Sequence, residues 1–220
     1  MRSSKCIHIT IRNRSSAAWI NRHVNDGFVR KAVKENMRSR SAYKLEEIQL
    51  KHKIIKPQDL VLDLGAAPGG WSLVASGLIK QEKGGLLVSL DLLPMEPVPY
   101  CTFIQGDFQS KDVQSILKQA CGNRQVNVIL SDMLHNVTGQ KSTDHFRSMD
   151  LVRQVLTFST SVLEANRSIA VCKYLRGEDE RDLLEHAKTL FKEVKSIKPS
   201  ASRSESAEAY LIAKTLIKNS

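Results

Sequence analysis

The sequence predicts an α/β fold: a seven-stranded, mostly parallel sheet with an antiparallel C-terminal strand and helices on both faces. Three observations predict it. From Leu60 onward, short apolar runs of strand length alternate with stretches of helical period, as in βαβ units built on a parallel sheet. A glycine-rich turn follows the first of these runs directly, and an acid ends the second, which is the layout of a nucleotide-type crevice. The last two runs have no helix between them, so they must pair antiparallel.

Ahead of the sheet, Asp26 can cap a short helix that carries Phe28, Val29 and Ala32 on one face. A second helix is expected over 41–51, where Ala42, Leu45 and Ile48 recur at helical spacing, and Pro57 ends the region. Residues 60–64 (LVLDL) read as a buried strand, 71–79 as a helix, 86–90 as a second strand and 102–104 as a short third. A helix over 113–120 leads to a fourth strand over 126–130. Met149, Val152, Leu156 and Leu163 give a long helix over 146–163, followed by a fifth strand over 168–172. An acidic amphipathic helix over 178–191 precedes the two closing strands, 194–197 and 210–216. The chain divides into a segment 1–22, basic helices over 23–58 and a sheet domain over 59–220.

At 220 residues with 41% hydrophobic and 25% charged side chains, the chain is one globular domain with a small appendage, not a disordered protein. No apolar run approaches the roughly 20 residues that span a bilayer, so membrane insertion is not expected. The charge is uneven. Residues 1–58 carry 14 basic and four acidic residues, a surplus equal to the whole chain's net charge of +10. A basic arm beside a neutral domain points to a polyanion, most often nucleic acid; a targeting segment plus a solvated helix face is the plainer alternative. Cys6, Cys101, Cys121 and Cys172 form no C-x-x-C pair, so neither a metal site nor a disulfide framework is indicated.

Residues 1–25 hold five arginines and lysines, four serines at 3, 4, 15 and 16, and no acid. This is the composition of a mitochondrial transit peptide, which would place the protein in the mitochondrial matrix; a basic RNA-binding tail has the same composition. No apolar core of a secretory signal follows the charges.

The first strand ends in Asp63-Leu-Gly-Ala-Ala-Pro-Gly-Gly-Trp-Ser72. The spacing from Gly65 to Gly70 matches a P-loop, but Trp71 stands where the phosphate-binding lysine belongs. The dinucleotide pattern G-x-G-x-x-G is also absent. Asp91 ends the second strand, where a carboxylate can accept from ribose hydroxyls. The set fits a nucleoside ligand without pyrophosphate, of which S-adenosylmethionine is the common one.

The chain from about residue 26 to its end resembles the RrmJ/FtsJ family of RNA ribose 2′-O-methyltransferases. The residues that carry the resemblance are Arg38-Ser-Arg-Ser-Ala-Tyr-Lys-Leu45, Leu62-Asp-Leu-Gly-Ala-Ala-Pro-Gly-Gly-Trp-Ser72, Asp91-Leu-Leu-Pro94, Gln105-Gly-Asp-Phe108, Ser131-Asp-Met133, Val171-Cys-Lys173 and Lys198-Pro-Ser-Ala-Ser-Arg203, in that order. Trp19-Ile-Asn-Arg-His and Asp26-Gly-Phe-Val-Arg30 are similar to the mitochondrial branch, which modifies large-subunit ribosomal RNA. The resemblance implies a Rossmann-like S-adenosylmethionine-dependent methyltransferase fold. It also implies a catalytic tetrad, which falls by motif on Lys44, Asp132, Lys173 and Glu208, with Glu205 as the neighbour that could replace the last. Pro68, Gly69, Gly70, Trp71, Asp91, Asp107, Phe108 and Asp132 are implied for the cofactor, with Asp91 on the ribose, Asp107 on the adenine amino group and Phe108 beside the ring.

Read alone, several of these residues have ordinary roles. Lys44 is a helix charge, Lys173 a strand-end lysine that snorkels, and Trp71 plain helix packing. Asp132, at the end of a strand, faces the ligand crevice of such folds. Lys173 is the family's proposed base. Carboxylates beside it favour its charged form, which cannot accept a proton, so it either escapes them by desolvation or stabilises a developing alkoxide instead. The family continues Ser-Asp-Met with Ala-Pro-Asn, whereas this chain has Leu134-His135-Asn136. Loss of the proline frees a backbone dihedral, and His135 reads as a surface-loop histidine.

Arg30, Lys31, Lys34, Arg38, Arg40 and Arg203, with Lys51 and Lys53, are candidates to grip RNA phosphates around a splayed-out target nucleotide. The expected activity is methylation of a uridine 2′-hydroxyl in mitochondrial large-subunit ribosomal RNA by a monomer, on free RNA or a pre-ribosomal large subunit. The competing expectations are the same chemistry on tRNA or another RNA, and a ribosome-assembly factor for which methylation is secondary.

Overall fold

The computed structural model describes residues 27–35 and 37–217. The segment 1–22 and the Asp26 cap lie outside them. The side chains of Arg30, Val29 and Ala32 are also outside the description.

Seven strands form one sheet in the order β3-β2-β1-β4-β5-β7-β6. β1 (Leu60–Leu64), β2 (Leu86–Asp91), β3 (Cys101–Gln105), β4 (Val128–Ser131) and β5 (Ile169–Leu175) are parallel neighbours. β7 (Glu208–Leu216) runs antiparallel between β5 and β6 (Phe191–Ile197). The sheet alternates its apolar side chains to two faces, as a strand must. Val61, Leu87, Leu130, Val171 and Ile212 pack against α2 (Ala42–His52) and α3 (Gly70–Ile79). Leu60, Leu62, Leu64, Val88 and Leu90 pack on the other face against α4 (Lys111–Ala120), α5 (Lys141–Val162) and α6 (Glu180–Leu190). A short first helix, α1 (Gly27–Lys34), meets α2 through the Phe28 and Tyr43 rings.

Several element bounds differ from the expectation, and four of the differences have a clear tertiary reason. α5 starts at Lys141 rather than near 146 because Asp144 accepts hydrogen bonds from the Thr138 and Gly139 backbone amides, which closes the preceding turn onto the helix. β4 starts at Val128, while Val126 makes only an isolated bridge to Leu163. Phe191 belongs to β6, since it is buried and pairs with Leu216, so α6 passes into the strand without a loop. β5 runs on to Leu175 because β7 pairs with it as far as Leu175 opposite Glu208. Lys173 therefore sits inside a strand, not at its end.

Candidate active site

The β5–β7 register builds the site. Lys173 lies opposite Tyr210 and Leu175 opposite Glu208. Directly opposed residues share a face, and so do residues two apart, so Lys173, Tyr210 and Glu208 project toward the α2 side of the sheet. Asp132 follows β4, and its amide donates to the Leu64 carbonyl, which locks it beside the end of β1. α2 delivers Lys44 from its first turn. Glu47, one turn further along α2, accepts from the Ser200 amide and hydroxyl and from the Ala201 amide. That contact ties α2 to the β6–β7 loop just ahead of Glu208.

The four predicted catalytic side chains form two ion pairs. Lys44 Nζ is 2.6 Å from Glu208 Oε1, and Lys173 Nζ is 3.0 Å from Asp132 Oδ1. The Lys173 ammonium also donates to the Asp132 carbonyl. All four side chains are between 10% and 16% exposed, so these pairs are far less screened than surface ones. Tyr210 joins the pairs. Its hydroxyl donates to Asp132 Oδ1 at 2.9 Å, and its ring lies 5.8 Å from Lys44 Nζ. Burial, and then the Asp132 and Glu208 carboxylates, push the Tyr210 phenol well above its usual value, so it remains a donor. Burial pushes the Glu208 carboxyl up, but Lys44, Lys173 and the Ser202 hydroxyl outweigh it and hold it below the usual carboxylate range. Glu205 makes no such pair with Lys44; its carboxylate accepts from the Ser204 hydroxyl.

Beside the Lys173–Asp132 pair opens a cleft of about 490 Å³, walled by Gly65, Ala67, Asp91 to Leu93, Gly106 to Gln109, Asp132 to Asn136 and Lys173. Asp91, Asp107, Phe108 and Asp132 of the predicted cofactor set line it. Asp91 holds its own walls together, accepting from the Ala67 amide at Oδ2 and the Leu93 amide at Oδ1. Gly65 has φ +78, and a Cβ there would stand 2.6 Å from Met133 Cγ, so only glycine lets β1 turn away beneath the loop after Asp132. Phe108 is buried edge-on against Phe158 and presents its surface to the cleft floor. His135, expected on an open loop, is half-buried in the cleft wall because 132–136 fold over the edge of the sheet.

Pro68, Gly69, Gly70 and Trp71 do not line the cleft. Trp71 is buried with its indole N–H donating to the Ser41 carbonyl and its ring 5.6 Å from that of Tyr210. It packs α2 and α3 onto the site, and only its backbone amide, in the first turn of α3, remains for a ligand. Among the candidate phosphate contacts, Lys31 pairs with Glu35 and lies over the Tyr43 ring, Lys51 pairs with Glu47, and Lys34 and Lys53 are exposed. Arg40 donates to the Ala201 carbonyl; burial, and then the like charge of Arg203, lower its pKa against the opposing pull of the Glu208 and Glu205 carboxylates. Arg38 is spent on carbonyl groups, Pro68, Glu96 and Pro97.

A larger, open, mostly apolar trough of about 800 Å³ between α2 and α3, walled by Met37, Leu50, Leu73, Val74 and Leu78, contains none of the predicted site residues. Among the described residues, no group of three histidine, cysteine or acidic side chains could hold a metal, and no helix is long and apolar enough to cross a membrane.

The donor set suits S-adenosylmethionine: a carboxylate at a strand end, a second acid and a buried aromatic on one wall, and no phosphate-binding lysine in the glycine loop. Comparison with known proteins gives the family. The family profile of FtsJ-like methyltransferases matches residues 37–216. The chain belongs to the FtsJ-like methyltransferase family. A protein of Rickettsia bellii named ribosomal RNA large subunit methyltransferase E is 46% identical over 202 residues, covering 90% of this chain and 88% of that protein. Its counterpart in Rickettsia akari is 44% identical over the same shares. A crystal structure from Plasmodium falciparum, described as a ribosomal RNA methyltransferase, superposes with a TM-score of 0.74 at 27% identity, covering 83% of this chain and all of that one. Within this FtsJ-like chain, Tyr210 is the residue that sequence reasoning missed. Its signal was the strand period, since it stands two residues after Glu208 and must share its face.

Proposed function

We propose that this FtsJ-like chain transfers a methyl group from S-adenosylmethionine to the ribose 2′-hydroxyl of a uridine in mitochondrial large-subunit ribosomal RNA, acting as a monomer in the matrix. The observation that carries the reading is the joined pair of ion pairs, Lys173–Asp132 lining the cleft and Lys44–Glu208 behind it, linked through Tyr210. The relatives named as ribosomal RNA large-subunit methyltransferases supply the substrate class, and the acid-free composition of residues 1–22 supports import. One chain holds all four tetrad residues, which is consistent with a monomer.

When bound, S-adenosylmethionine supplies a methyl group already activated by its sulfonium. Asp91 would hold the cofactor's ribose from the strand end, and Asp107 its adenine edge. The protein's remaining work is positioning. Lys173, whose ammonium donates to Asp132, stabilises the negative charge that grows on the ribose oxygen, and the hydroxyl's proton passes to water late in the transfer. Asp132 and Tyr210 fix the direction of that ammonium. Glu208 holds Lys44 over the Tyr210 ring, so that a second cation backs the hydrogen-bonded Tyr210–Asp132 pair. Arg40 and Arg203, cations near enough to feel each other's charge, would contact a neighbouring phosphate of the RNA.

The test is methyl transfer from labelled S-adenosylmethionine to mitochondrial large-subunit ribosomal RNA, both as transcript and as isolated subunit, with Lys173→Ala as control. The expected product is a 2′-O-methyluridine absent from the control. Label on a base, or equal label with the variant, would overturn the assignment. N-terminal sequencing of the protein recovered from purified mitochondria tests import.

A further inference from the structure

We propose that Arg38 is a positioning residue for the cofactor cleft, clamping its two loop walls from outside, and not a phosphate contact; this rests on the cleft being the S-adenosylmethionine site. The cleft has one wall in the turn after β1, through Ala67, and another in the long β2–β3 connection, through Leu92 and Leu93. On the inner side Asp91 cross-links these walls, accepting from the Ala67 and Leu93 amides. On the outer side Arg38 joins the next residues of both: Nη1 donates to the carbonyls of Pro68 and Glu96, and Nη2 to that of Pro97. The contacts lie 30, 58 and 59 residues from Arg38 in sequence, so they tie both loops to the 38–41 segment, a link the Asp91 cross-link does not make. Nη1 bridges the two loops and Nη2 adds a second bond to the β2–β3 connection, an arrangement fixed by the planar guanidinium that a lysine's flexible ammonium does not reproduce.

The glycine loop is shaped around this side chain. A Cβ at Gly69, where φ is +104, would lie 2.8 Å from Arg38 Nη1 and 3.0 Å from its Cδ. At Gly70 a Cβ would lie 2.2 Å from Ser39 Oγ. These two glycines leave room for the 38–41 segment, and neither lines the cleft. The same segment continues through Ser41, which accepts from Trp71, to Lys44. One stretch of chain therefore sets both the cofactor walls and a catalytic lysine.

The experiment uses the full chain with Arg38→Ala and Arg38→Lys, the second retaining charge without the fork. Calorimetry with S-adenosylmethionine should show both variants binding roughly tenfold more weakly than the wild type. Hydrogen exchange at the amides of 92–100 should quicken in both. In turnover, KM for the cofactor should rise while its kcat changes little, as expected when a ground-state and transition-state contact are lost together. The affinity for ribosomal RNA and its salt dependence should stay at the wild-type values. A phosphate-contact residue gives the opposite pattern: cofactor affinity unchanged, RNA affinity lowered with a salt slope shallower by about one in Arg38→Ala, and rescue by Arg38→Lys. That pattern overturns the proposal. Wild-type protein that fails to bind S-adenosylmethionine would overturn the functional reading with it, and the wild-type arm distinguishes the two failures.

Discussion

Asp63 makes stability fall with rising pH in a window that can be calculated from its surroundings. Its side chain is fully buried at the end of β1; Ser72 donates to Oδ2 at 2.6 Å, and Oδ1 has no partner. Burial, helped by the Asp132 and Asp91 carboxylates and opposed by the Ser72 hydrogen bond, raises its pKa from 3.8 to about 7. Between those values the unfolded chain is ionised at this residue and the folded chain keeps its proton. The unfolded state then binds fewer protons, so stability drops by up to about 1.4 kcal/mol per pH unit and by about 4 kcal/mol over the whole window. Above about pH 7 both states are ionised and the slope vanishes. Asp63→Asn mimics the neutral acid and still accepts from Ser72. It carries a constant offset for the amide placed at the unpartnered position, but no pH dependence of its own. Urea unfolding of both proteins without cofactor, at about pH 5, 6, 7 and 8, isolates the effect, because every other titrating group cancels in the difference. The wild-type stability relative to the variant should decline by about 2 kcal/mol from about pH 5 to 7. Parallel curves would refute the reasoning and show Asp63 ionised in the folded protein.

Two further outcomes follow from the paired site. Tyr210→Phe removes a hydrogen bond to a charged acceptor, worth about 1.5–3 kcal/mol, and should lower kcat for methyl transfer by roughly ten- to a hundredfold while the cofactor Kd is unchanged; single-turnover rates with saturating cofactor check it. Glu208→Gln leaves Lys44 without its carboxylate and should destabilise the fold at neutral pH by about 3 kcal/mol. Because the folded-state carboxyl lies below its ordinary value of 4.5, that penalty is fully present above about pH 4.5 and shrinks as the pH falls through the lowered value, which acid-series unfolding curves would reveal.

Much of this was legible from the sequence because the signals are local. The apolar run LVLDL, the glycines after it and the acid ending β2 lie within about thirty residues, and each follows from strand period or backbone sterics. The motif residues Lys44, Asp132, Lys173 and Glu208 do come together. Trp71 was harder. A tryptophan in a glycine loop reads equally as a ligand contact or as packing, and only its bond to Ser41 shows what the side chain does. Arg38 is a similar case: an arginine in a basic segment suggests a phosphate, and the structure places three main-chain carbonyls around its guanidinium.

By itself the sequence determined the alternation of strands and helices, the uneven charge and the residues that could carry chemistry, because side-chain pattern and backbone freedom act over a few residues. The tertiary structure alone decided which of those groups meet. The β5–β7 register, fixed by interior packing on both faces, sets Tyr210 opposite Lys173 and within reach of Asp132, 78 residues away in sequence. A slip of one residue would turn both side chains to the other face. No local pattern encodes that choice; it is made by the pairing of strands that are distant in the chain.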